Sequence, residues 1–151
     1  MSESFRASSG RKVMSRESAT EVGFVGHLLV DAAQRRVVAV AVGRGKKARL
    51  VDWDQLSGFG PDAVMVVEEK SLRSPVDEHE RAALEGNLDL VGKRVLTNLG
   101  HELGKIDDVT FDPGSGMLEE LLIGARRVPA GSLMGNGSYA AVLDESLVPP
   151  P

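Results

Sequence analysis

Three histidines and a few clustered acids are the residues of this 151-residue chain whose types could carry chemistry. His27, His79 and His101 share no H-x-x-x-H or His-carboxylate spacing, so the convergent ligand set of a zinc site is not written in the sequence. Asp107, Asp108 and Asp112 offer oxygens for calcium, but the alternating acids, central glycine and final glutamate of a calcium loop are missing. The stretch "GRGKKA" at 43–48 has the flavour of a phosphate loop, yet Val40 stands where the first glycine belongs and Lys47 where a magnesium-binding hydroxyl belongs. No G-x-S-x-G exposes a serine nucleophile. Glu119 and Glu120 are adjacent in an apolar run and face opposite sides of a strand, apart from any bulge, so they do not share a substrate. The absence of cysteine removes thiolate chemistry, disulfides and cysteine zinc sites. The expectation is a chain that is not an enzyme, with no catalytic residue, no metal and no cofactor.

Binding is the chemistry left, and three features could serve it. Arg44, Lys46, Lys47 and Arg49 put four cations into six residues beside Gly43 and Gly45, a loop suited to an acidic partner surface. The acidic stretch "DEHE" at 77–80 could instead swing over and neutralise it. Trp53, the one tryptophan, is either a strand residue in the core or an anchor for a partner. The run "RVVAVAVG" at 36–43 is apolar on both faces and must be covered on both. Val38, Ala39 and Ala41 are therefore candidates for an interface, either between the repeats or between chains.

Composition narrows the partners. Residues 1–49 hold ten Lys and Arg against four acids, 50–90 hold three against ten, and the remainder five against eight, giving a net charge of -4. A pI near 5.4 and 4% aromatic residues make direct RNA binding, which relies on basic surface and base stacking, the weaker alternative to a protein partner. The polar opening "MSESFRASSGRK" has no apolar signal segment, and "VVAVAV" at 37–42 is far shorter than the roughly 20 residues of a membrane span. A cytoplasmic protein is expected, with homo-oligomerisation and indirect membrane association both open.

The elements that would position these residues are written twice. "ELGKIDDVTFD" at 102–112 repeats the pattern of "EVGFVGHLLVD" at 21–31; "GKRVLT" at 92–97 answers "GRKVMS" at 10–15; "RRVPAGSLMGNG" at 126–137 answers "RLVDWDQLSGFG" at 49–60. The offset falls from 82 to 81 to 77, a one-residue and then a four-residue deletion in places where loops absorb length. The second deletion removes the basic loop.

Within each copy the pattern is one of short strands. "FDPGSG" at 111–116 is a hairpin turn, with proline presetting φ, glycine supplying positive φ and Asp112 bonding the backbone ahead of it. "VDAAQRR" at 30–36 takes its place in the first copy and should be looser. Apolar residues step by three and then two in Val25, Leu28 and Val30, in Ile106, Val109 and Phe111, and in Leu118, Leu121 and Ile123. That step predicts β-bulges that coil the strands. Between the copies, "SPVDEHERAALEG" at 74–86 predicts one short helix with Ser74 as N-cap, Pro75 at the first helical position, Asp77 in a capping box and Gly86 past the end.

"GKRVLTNLGHELGKIDDVTFDPGSGMLEELLIG" resembles the PRC-barrel domain family: a G-x-x-V strand, a G-x-[IV]-x-D-[IV] strand, a D-P-x-[ST]-G turn and a returning apolar strand. The first copy departs at the turn and at Gly26 and His27, but keeps Glu21, Gly23, Asp31 and a "LVDWDQL" similar to the tryptophan-bearing strand of many members. The resemblance implies an all-β chain of two tandem small PRC-type barrels, each of about five short strands, joined by a linker with one short helix. It implies a fold that holds partners, from reaction-centre subunits to ribosome-maturation factors, and it brings no catalytic residues. The expected organisation is a flexible tail at 1–9, a first repeat at 10–70, the linker at 71–90, a second repeat at 91–146 and a mobile proline-rich tail at 147–151.

Overall fold

A computed structural model of the chain describes residues 2–150. It is mostly β, with one helix longer than a single turn. The first half builds a six-stranded sheet from β2 (Lys12–Ser15), β3 (Glu21–Asp31), β4 (Arg36–Val42), β5 (Arg49–Asp52), β6 (Leu56–Phe59) and β7 (Ala63–Val66), in the order β5-β4-β3-β2-β7-β6. β2 and β7 run parallel and the other neighbours antiparallel. The bulge expected in this half is present, and a second accompanies it on β4. The β3–β4 register slips between Val25 and His27, leaving Gly26 unpaired, and again where Leu29 and Val30 face Ala39 and Val37, leaving Val38 as the extra residue.

The second half repeats this pairing with β8 (Arg94–Thr97), β9 (Glu102–Lys105), β10 (Asp108–Phe111), β11 (Leu118–Ile123), β12 (Arg126–Pro129), β13 (Leu133–Asn136) and β14 (Ala141–Leu143). β8 pairs parallel with β14 as β2 does with β7, and Glu119 bulges from β11 where Val38 bulges from β4. Connections repeat as well. Gly10 N–H donates to Val25 O at 2.8 Å, and Gly92 N–H to Ile106 O at 2.7 Å. Each half holds more strands than the five expected, because a 3₁₀ turn (Trp53–Gln55 or Ala130–Ser132) divides the third strand from the next. In the second half the long incoming strand is further broken at Ile106 and Asp107, which splits the half into two sheets. The ladders do not run full circle into closed barrels. β5 and β6 end the six-stranded sheet, and a 3₁₀ turn links them where a closing ladder would lie.

The two hairpin turns hold the halves together. In the second half Gly116, at φ +79°, donates its N–H to Asp112 O, while Asp112 Oδ1 accepts from Gly114 N–H at 2.9 Å. The first half reaches the same geometry without glycine: Arg35 takes a φ of 54°, and Asp31 Oδ1 accepts from Gln34 N–H at 3.0 Å. The turn expected to be loose is therefore fixed by its own aspartate. Across the halves, Val37 N–H donates to Gly116 O at 2.8 Å and Leu118 N–H donates to Arg35 O at 2.9 Å.

One apolar core runs through both halves, from Val13 and Val40 to Leu121 and Leu143. Near its centre Phe111 meets Phe5 and Phe59 edge-on at 5.5 and 5.3 Å, and Trp53 stacks on Phe59 at 5.6 Å. Phe5 corrects the flexible tail expected at 1–9. Glu3–Ser4 forms β1 on β10, Phe5–Ser8 forms a single turn α1 capped by Ser4 Oγ, and the buried Phe5 ring gives the segment an apolar anchor. Met1 lies outside the described residues. At the other end Glu145–Leu147 forms a 3₁₀ turn and Val148 packs on the core, so the tail expected at 147–151 is anchored at its start; Pro151 lies outside the described residues.

The linker helix α2 spans Glu78–Leu84. Asp77, not Ser74, is its N-cap, accepting from Glu80 N–H at 2.8 Å while Glu80 Oε1 accepts from Val76 N–H at 2.9 Å. Asp77 and Glu80 have the three-residue spacing of a capping box, which leaves Pro75 outside the helix. Gly86 follows the helix end at φ +85°, as expected. The helix supplies the cover for β4: Ala39, Ala41, Leu29 and Leu50 form a second cluster with Ala83, against which Val38, Leu84 and Leu88 pack. The cover expected over Val38, Ala39 and Ala41 from the other repeat or another chain is thus the chain's own linker. The corresponding face of β11 carries Glu120, paired with Arg127 in solvent, and among the described residues no such helix covers it.

Candidate functional site

The basic loop stands out from the first half between β4 and β5. Gly43 and Gly45 both take positive φ, Gly43 N–H donates to Phe24 O, and Gly45–Lys47 closes a 3₁₀ turn onto the buried Ala48. Lys46, Lys47 and Arg49 are exposed. Among the described residues none of them has a carboxylate within ion-pair distance. The acidic stretch 77–80 that could have neutralised the loop is engaged elsewhere. Glu80 is bonded to Arg73 at 2.6 Å, Arg73 also reaches Asp52 at 2.9 Å, and Glu78 pairs with Arg81. The hydrogen bond from Arg73 holds the Glu80 carboxyl below the usual carboxylate range, and the two acids together raise the Arg73 guanidinium further above its ordinary value.

Arg44 behaves differently from its neighbours. Its Nη2 lies 3.2 Å from Ser9 Oγ and 3.4 Å from Gly26 O, and its guanidinium sits 5.9 Å from the centre of the Phe24 ring. The loop therefore borders two depressions. One, of about 630 Å³, runs toward α2 between Lys46, Pro75, Arg81 and Leu84. The other, of about 490 Å³, runs toward the N-terminal segment and is described by Ser9, His27, Arg44 and Asp89.

Trp53, the other candidate partner residue, lies far from this loop's tip in contacts. It is half-buried, stacked on Phe59, edge-on to Phe111, and pressed against the second half where a Cβ on Gly116 would come within 3.0 Å of its ring. Its packing is the core role, here at the seam between halves. Val38, Ala39 and Ala41 belong with α2 as described above, so the sequence candidates do not form one surface.

A His–Asp pair escaped the sequence reading because its members are 62 residues apart. His27 Nδ1 lies 3.0 Å from both Asp89 oxygens, and the His27 side chain is only 12% exposed. The bulge at Gly26 turns His27 toward the linker. The one signal in the sequence was the departure of Gly26 and His27 from the second copy, where Asp107 and Asp108 stand. In that copy the exchange is reversed: Asp108 Oδ1 accepts from Arg6 N–H at 3.1 Å, so each incoming strand receives the segment that leads into the other half.

The remaining candidates have local partners. His101 bonds Glu145, and with Thr97 holds that carboxyl below its usual range. Asp107 Oδ2 accepts from Gly124 N–H, and Asp112 is held low by Gly114 and Ser115 in its turn. Lys93 is buried, with Nζ donating to Asn87 O and Gly137 O, and burial lowers its pKa. Its counterpart Arg11 donates to Gly60 O at 2.8 Å, the same tie in the first half. Among the described residues no group of three or more His, Asp or Glu side chains could hold a metal ion, and no helix is long and apolar enough to cross a membrane.

Residues 88–136 match the family model of the PRC-barrel domain, which is a general small β module. That segment runs from the end of the linker through β13. No curated protein matches the chain.

Proposed function

We propose that this chain is a non-enzymatic, cytoplasmic interaction module made of two tandem PRC-barrel-like copies, which docks an acidic protein partner through Arg44, Lys46, Lys47 and Arg49. The observation that carries the reading is that Lys46, Lys47 and Arg49 stand exposed without carboxylate partners, while Glu80 and Glu78 of the linker are bound to Arg73 and Arg81. The loop belongs to one copy only. The tight turn at Gly124 shows that the strands it joins can be connected without it, so its cations are surplus to the connection. Support for the first copy, which lies outside the matched segment, is the repeated pairing scheme, including the parallel β2–β7 and β8–β14 ladders.

Replacing Lys46 and Lys47 by Glu tests the reading. Partner capture from extract of the native cell is expected to be lost, chiefly through slower association, and added salt should weaken capture by the parent chain in the same way. Stability should move by less than about 0.5 kcal/mol, as for exposed positions without special contacts. Capture that survives both changes overturns the docking role. Capture that is lost when extracts are treated with ribonuclease assigns the loop to RNA and the ribosome-associated alternative.

A further inference from the structure

The geometry points to a phosphomonoester-binding site in the 490 Å³ cleft between the N-terminal segment, β3 and the end of the linker. Its size lies within the roughly 300–1,000 Å³ of small-molecule sites. Four separate stretches of chain line it: the segment from Phe5 to Ser9, residues 25–28, Arg44 from the basic loop, and residues 89–91. Two of its cations are held in place without being neutralised. Arg6 Nε is bound to the backbone oxygen of Asp107, and Arg44 Nη2 to the backbone oxygen of Gly26 and the Ser9 hydroxyl. Neither guanidinium is in an ion pair among the described residues, so each keeps donors and full charge for a ligand. Asp89 is the one carboxylate in the lining, and both of its oxygens face His27 Nδ1.

Two guanidinium groups and a hydroxyl offer more donors than the two oxygens of a carboxylate can use, and they suit the three terminal oxygens of a phosphate ester. The lining also holds apolar residues, of which the half-buried Val91 has surface for the organic part of the ester to cover, while Val25, Leu28 and Leu90 are buried. The site shares Arg44 with the docking loop, but Lys46, Lys47 and Arg49 do not line this cleft, so Lys46→Glu with Lys47→Glu tests docking and leaves the ester site's own residues in place.

Calorimetric titration of the full chain at constant ionic strength tests it with four probes: phenyl phosphate, N-acetyl-phosphoserine amide, inorganic phosphate and benzoate. Phenyl phosphate or the phosphoserine amide is expected to bind saturably and at least tenfold more tightly than inorganic phosphate or benzoate. The tighter of the two names the source, a free ester or a phosphorylated side chain. Arg44→Gln should weaken that binding at least tenfold with an unchanged melting temperature, whereas Arg16→Gln, an exposed cation outside the cleft, should leave it intact. If Arg44→Gln also lowers the melting temperature, Ser9→Ala serves as the second variant, expected to weaken binding severalfold. Absence of saturable binding, benzoate binding as tightly as the esters, or equal losses in Arg44→Gln and Arg16→Gln would each overturn the site.

Discussion

Arg36 and Met117 face each other in an antiparallel bridge between the two halves, and they are equivalent residues of the two copies, 81 positions apart. The bonds flanking them are reciprocal: Val37 donates to Gly116, and Leu118, the counterpart of Val37, donates to Arg35, the counterpart of Gly116. A local two-fold axis therefore passes between Arg36 and Met117. Isologous contact of this kind is the way identical subunits pair, here between copies in one chain.

Neither half should fold independently. A module of about 60 residues buries only about 60% of its unfolded surface, and here Phe111 fills its place against Phe5 and Phe59 from the other end of the sequence. Residues 1–72 and 88–151 expressed apart are expected to lack cooperative unfolding, read by circular dichroism during urea titration. Two separately cooperative, stable pieces would contradict a shared core.

Two glycines should resist even alanine. A Cβ at Gly26 would stand 2.1 Å from Gly43 O, so the β3–β4 ladder would have to open at its bulge. At Gly116 the penalty combines a φ of +79° with a Cβ 2.9 Å from Val37 O. The conformational part alone is about 1–2 kcal/mol, and each substitution is expected to cost about 2 kcal/mol or more in chemical denaturation. Gly114→Ala, in the same turn but 3.4 Å from only the Asp112 side chain, is the milder comparison.

The bulges at Gly26 and Glu119, the hairpin turn at Asp112 and the shared order of strand pairing were legible because each rests on local residue types, a step of three, an Asp-Pro-Gly turn, an echo at fixed offset, whereas the same step at Ile106 and Val109 marks a break between β9 and β10. What was not legible depends on distant partners. Phe5 reads as part of a polar tail until Phe111 gives its ring a neighbour, and His27 reads as a surface histidine until Asp89 arrives from the linker. The two apolar faces of β4 correctly required a second cover, but only the docking of α2 identifies it. Of the candidate site, the loop and its cations were visible in sequence, while the cleft beside it was not, since four stretches of chain meet to make it.

Ala41→Glu should destabilise the folded chain and leave its assembly state alone. Ala41 is fully buried against Leu29, Leu50 and Ala83, with no cation in that cluster to receive a carboxylate. An uncompensated buried charge costs about 3 kcal/mol or more. Sedimentation should be unaltered under conditions where the variant is folded. A dissociation of oligomers with unchanged unfolding would return Ala41 to an interface between chains.

Acid should loosen the linker from the first half through Glu80. Its carboxyl is held below the ordinary value of 4.5 by the hydrogen bond from Arg73, so the folded state binds the proton more weakly than the unfolded chain does. The stabilisation is then fully present above that ordinary value and is lost as pH falls through the lowered one. Glu80→Gln keeps an oxygen for Val76 N–H but surrenders the charge, and a charge-assisted bond of this kind contributes about 1.5–3 kcal/mol. Glu80 is mostly buried in its pair, with 16% of its side chain exposed, so solvent screens little of this. The variant is expected to be less stable than the parent at neutral pH and to converge on it in urea unfolding once the pH has fallen through the lowered Glu80 value. Asp112 and Glu145 are also held low and add their own acid sensitivity, but it is common to both proteins and cancels in the difference. A gap between parent and variant that stays constant through the acid range would place the stabilisation in the hydrogen-bond geometry of Arg73 rather than in the charge of Glu80.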